Sequence, residues 1–89
     1  MEIDKEKEEM IINFGAFGYE PEKMANILLW DIKEVENAME DKASTFFRLY
    51  LKGQELADYV LDLKLFEMAQ SGDLKAMQKF EHRLKTRRK

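Results

Sequence analysis

The side chains in this sequence best placed to do chemistry are cations. Lys79, Arg83, Lys85, Arg87, Arg88 and Lys89 crowd its last residues. Residues 75–89 carry seven Lys or Arg against one Glu, whereas residues 1–74 carry eight against seventeen Asp or Glu. A basic segment of this kind neutralises phosphates and gives salt-dependent binding to nucleic acid. The same cations also suit the carbonyl end of a helix, whose dipole favours positive charge. Groups for covalent or acid–base chemistry are scarce. Ser44, Thr45, Ser71 and Thr86 have no partner motif, and His82 is the single histidine, so no catalytic residue is expected and the chain reads as non-enzymatic. The absence of cysteine excludes disulfides and thiolate metal sites, and one histidine cannot build a zinc site alone. Gly15-Ala16-Phe17-Gly18 lacks the spacing of a phosphate-cradling loop. Neither metal nor cofactor is expected.

The positioning elements read as helices throughout. Hydrophobic residues at 45% and charged residues at 37%, with one Pro and four Gly, fit a folded, helix-rich chain. No apolar run is long enough to span a membrane, and Met1–Glu6 lacks the pattern of a secretion signal; a cytoplasmic location and no membrane partner are expected. A first helix runs from Ile3 to about Phe17, with Met10, Ile11, Phe14 and Phe17 on its apolar face. Gly15 and Gly18 weaken its end. Pro21 opens a second helix that buries Met24, Ala25, Ile27 and Leu28. Leu29-Trp30 interrupts, and Asp31, with Glu34 three residues on, caps a third helix with Ile32, Val35, Ala38 and Met39 inward. Tyr19 and Trp30 serve as packing anchors.

A long helical pattern then runs from Lys42 to Ala69, with a kink or break at Gly53. Ser71-Gly72-Asp73 stops it and caps a last helix carrying Leu74, Met77, Phe80 and Leu84, which dissolves into the basic tail. The expected architecture is all-α: a trihelical helix–turn–helix bundle over 1–41, then a helical oligomerisation hairpin with a basic tail over 42–89, together one compact unit.

Two stretches carry functional content. Between Leu56 and Ala69 apolar residues occupy more than one face, so the helix needs cover on most sides. Self-association through Leu56, Tyr59, Val60, Leu63 and Phe66 supplies that cover, and so would wrapping by the chain's own helices; Phe66 is expected to be a core residue. A chain of 89 residues without cysteine gains from oligomerisation as an added source of stability. The second stretch is the helix–turn–helix, whose apolar positions 25, 28, 32, 35 and 38 have the spacing that packs two helices across a tight turn. Its second helix turns Lys33, Glu34, Glu36, Asn37 and Glu40 outward. Lys33 and Asn37 suit bases or phosphates, whereas the three glutamates are repelled by a phosphate-lined groove.

Gly18-Tyr19-Glu20-Pro21-Glu22-Lys23-Met24-Ala25-Asn26-Ile27-Leu28, followed by Val35-Glu36-Asn37-Ala38, resembles the N-terminal helix–turn–helix of phage terminase small subunits. Phe46-Phe47-Arg48-Leu49-Tyr50-Leu51-Lys52-Gly53 and Leu65-Phe66-Glu67-Met68-Ala69-Gln70-Ser71-Gly72-Asp73 are similar to the segment that follows it in that family. The resemblance covers about residues 14–84. It implies a DNA-packaging component in a bacterial host cell that binds double-stranded DNA, forms a homo-oligomer and regulates a large ATPase–nuclease subunit. Carried over by position, Lys33 and Asn37 face the groove, residues 56–69 oligomerise, and Arg83, Lys85, Arg87, Arg88 and Lys89 are available to DNA or the large subunit. Phe17-Gly18-Tyr19, with Ala25 and Val35-Glu36-Asn37-Ala38, is also similar to ubiquitin-associated domains. That second likeness covers residues 10–41 and implies a small protein-binding module with no DNA role.

Overall fold

The computed structural model describes residues 2–87, so Arg88 and Lys89 of the basic tail lie outside the described residues. Among the described residues the chain is helical, without strands: α1 (Lys5–Phe17), α2 (Pro21–Leu28), α3 (Ile32–Glu40), α4 (Thr45–Gln70) and α5 (Leu74–Arg87). None of these helices is long and apolar enough to cross a membrane. The chain divides into two compact units, Met1–Ala57 and Asp58–Lys89.

Local chemistry sets the helix ends in the first unit. Asp4 accepts the Lys7 amide at 2.8 Å and opens α1. Gly18, at φ 71°, closes it by donating its N–H to the Gly15 carbonyl, while Tyr19 donates to Phe14; glycine enters this left-handed region without penalty. Pro21 begins α2. Asp31 caps α3 by accepting the Lys33 amide at 2.7 Å. Ser44 does two things at the start of α4: its hydroxyl accepts the Phe47 amide at 3.0 Å and donates to the Ala38 carbonyl at 2.7 Å. Helices thus started still need apolar burial to persist. Ile11, Phe14, Met24, Ala25, Leu28, Val35, Ala38 and Phe46 supply it as one core, with Tyr19 and Trp30 packed against it. The Trp30 and Phe46 rings lie 6.0 Å apart, and Tyr50 donates its hydroxyl to the Tyr19 carbonyl at 3.0 Å.

Four expectations need correction here. Phe17, Ile27 and Ile32 are exposed instead of inward. Phe17 is the last residue of α1, and its ring packs on Tyr19 from outside, 5.4 Å away. Gly53 does not break α4, whose helical run is continuous from Thr45 to Gln70. Gly15 and Gly53 are buried, and each accommodates the other helix's backbone. A Cβ on Gly15 would fall on the Tyr50 carbonyl, and a Cβ on Gly53 on the Ile12 carbonyl. Here α1 and α4 meet backbone to backbone, so both glycines are there for space, not for flexibility.

In the second unit, Gly72 at φ 99° ends α4 and Asp73 starts α5 by accepting the Ala76 amide at 3.0 Å. Leu65 and Ala76 are buried, and Phe66 faces Phe80 with ring centroids 5.6 Å apart. Helix α5 continues to Arg87, so Arg83, Lys85 and Arg87 are helical residues and not part of a trailing tail. Phe66 remains 44% exposed, because one aromatic neighbour shields only one side of it.

Candidate functional site

Tyr59, Val60, Leu63 and Phe66 lie on the part of α4 that belongs to the second unit, and Leu56 on the part that belongs to the first. All five are open to water, with exposures between 41% and 62%. Tyr59, Leu63 and Phe66 recur at i, i+4, i+7, the spacing of one helical face. A run of large apolar side chains at that spacing marks an interaction surface more than isolated ones would.

The cations of α5 are partly engaged. Arg83 donates its Nε–H to Asp62 and reaches Asp58 at 3.5 Å; Arg87 reaches the other Asp62 oxygen at 2.7 Å. The Arg83 hydrogen bond, and then that of Arg87, holds the Asp62 carboxyl below its ordinary value of 3.8. Asp62 in turn raises the Arg83 guanidinium. Water reaches both arginines and screens these ion pairs, so a phosphate can compete for them. Lys85 is exposed.

On α3, Lys33 and Asn37 are exposed, as are Glu34, Glu36 and Glu40. The three glutamates therefore share the open surface of α3 with Lys33 and Asn37.

The sequence reading missed a basic concavity in the first unit. Lys42, Arg48 and Lys52 line an open hollow with Phe47, Leu51 and Glu55. Arg48 and Lys52 stand at i, i+4, so they share a helix face, and that spacing was the available signal. Three cations around one hollow make a local basic patch inside an otherwise acidic unit. Ser44 has a structural part as the cap of α4.

No protein family, curated protein or solved structure matches the chain.

Proposed function

We propose that the chain is a non-enzymatic, small-terminase-like protein, with an N-terminal trihelical helix–turn–helix, that assembles with itself and holds duplex DNA for a large ATPase–nuclease subunit. The observation that carries this reading is the exposed apolar face of Tyr59, Val60, Leu63 and Phe66. Covering the exposed half of each such side chain is worth on the order of 1 kcal/mol. Two copies pairing these faces would gain about 8 kcal/mol, which is within the ~4–15 kcal/mol that association costs. The face alone therefore supports only weak pairing, and a stable assembly needs a second contact.

DNA association rests on Lys42, Arg48 and Lys52, on Lys85 with the exchangeable Arg83 and Arg87, and in the sequence on Arg88 and Lys89. Lys33 and Asn37 are the two groove-facing positions that the family resemblance points to. Titrating duplex DNA against salt tests this: the slope of log affinity on log salt should fall by about 0.9 for each phosphate no longer neutralised. Replacing Lys42, Arg48 and Lys52 by alanine should flatten the slope more than replacing Lys33 and Asn37. Absence of duplex binding by the wild-type chain at low salt would refute the DNA role.

The exposed Phe17 ring against Tyr19 favours a second reading, a ubiquitin-associated-like module that binds another protein. In that case replacing Tyr19 or Trp30 abolishes partner capture and DNA is irrelevant.

A further inference from the structure

Leu29 is the residue that the fold explains least. It occupies the left-handed region at φ 58°, the one non-glycine residue described to do so, and it is 89% exposed. Glycine would hold this helix end with less strain, and so exposed a leucine side chain recovers little through packing within its own unit. Strain retained without local compensation points to a use elsewhere. Ile27 and Ile32 flank it and are also exposed. The turn between α2 and α3 thus offers three aliphatic side chains, within a segment (20–41) that carries seven Asp or Glu against two Lys.

The second unit holds a surface of opposite charge. An open groove between α4 and α5 has Leu61 and Leu65 as its apolar lining, with Lys75, Lys79 and His82 around it; Arg83 also borders it, held by Asp62. The complementarity extends to the units as wholes. Residues 1–57 carry thirteen acidic against seven basic side chains, and residues 58–89 carry eight basic against five acidic.

We infer that the α2–α3 turn of one copy docks into the α4–α5 groove of a second copy, with Leu29 as the central anchor. An aliphatic knob in an acidic surround meets an aliphatic groove in a basic one, so burial supplies affinity and charge supplies register. The two surfaces differ, which makes the contact head-to-tail: an open assembly keeps one free turn at one end and one free groove at the other until a ring closes. This inference rests on the reading of the chain as self-associating and supplies the second contact which that reading lacks.

The test is absolute mass by light scattering behind gel filtration, on the full chain, with the variants Leu29→Gly and Leu61→Ser. Glycine suits the backbone at 29 and Leu61 is half exposed, so both variants should retain the wild-type helical signal, and Leu29→Gly should melt no lower than wild type. Each variant alone should assemble at least tenfold more weakly than wild type. Mixed in equal amounts, they should give a species heavier than either, because one supplies an intact turn and the other an intact groove. Wild-type assembly by Leu29→Gly would overturn the docking and leave self-association standing. A mixture no heavier than its components would overturn it too, since an unlike pair of surfaces must complement. A wild-type chain that is monomeric at every concentration would overturn both readings.

Discussion

Gly15 and Gly53 set helix propensity against space. Alanine in a helix interior ordinarily gains about 0.5–1 kcal/mol over glycine. At these two positions the added carbon would fall on a backbone carbonyl of the facing helix, and overpacking of that kind costs about 1–3 kcal/mol or more. The clash wins, because a backbone carbonyl cannot swing aside as a flexible side chain can. Gly15→Ala or Gly53→Ala should therefore lower the melting temperature, by roughly 4–8 °C for each kcal/mol of stability removed in a domain of this size. Leu29→Gly should do the opposite or nothing. It relieves about 1–2 kcal/mol of left-handed strain and loses about 0.4–1 kcal/mol to the greater freedom of the unfolded chain. Thermal melts of the three variants check both statements. The sequence offered these glycines as breakers, since glycine weakens a helix considered alone. Their role as spacers depends on a helix far along the chain, and no local pattern carries that information.

Helix ends were the most legible features of the elements. Asp31 and Gly72-Asp73 act where they stand, through bonds to residues within about a turn of themselves, and Pro21 acts through the φ its ring fixes at the start of α2. The length of α5 was harder to read. Its cations looked like a tail, yet Lys and Arg are good helix formers and favour a helix C-terminus. Ser44→Ala should destabilise by about 1 kcal/mol through loss of the α4 cap, measurable by denaturant titration. Phe66→Ala should fall short of the ~3–5 kcal/mol typical of a buried phenylalanine, because the ring is half exposed. The clasp of Asp62 with Arg83 and Arg87 also makes a pH prediction. The folded-state value of Asp62 lies below 3.8, so its contribution is fully present above that pH and is lost as pH falls through the lowered value. Asp62→Asn should be less stable than wild type at neutral pH, and the two should converge in acid well below 3.8. A difference between them that persists in acid would exclude the clasp as its source.

At the scale of the molecule, the all-helical class and the lack of a membrane-spanning helix among the described residues were readable from composition and run lengths. The apolar excess over Leu56–Ala69 was readable as well, and in the structure Leu56, Tyr59, Val60, Leu63 and Phe66 do face water. The basic hollow of Lys42, Arg48 and Lys52 was not, because its cations are separated in sequence by the turn before α4 and by a helical turn within it. Duplex binding should show the steep salt dependence of phosphate contacts, and it should weaken least when Lys33 and Asn37 are changed, since three glutamates share their surface. The meeting of α1 and α4 at Gly15 and Gly53 also bears on how this chain tolerates genetic variation. Every amino acid reachable from a glycine codon by one nucleotide change carries a Cβ. At these two positions each missense step thus introduces the atom for which there is no room. A saturation library selected for folded protein should therefore be nearly empty at Gly15 and Gly53, while exposed Phe17 and Leu29, close by in sequence, accept many replacements.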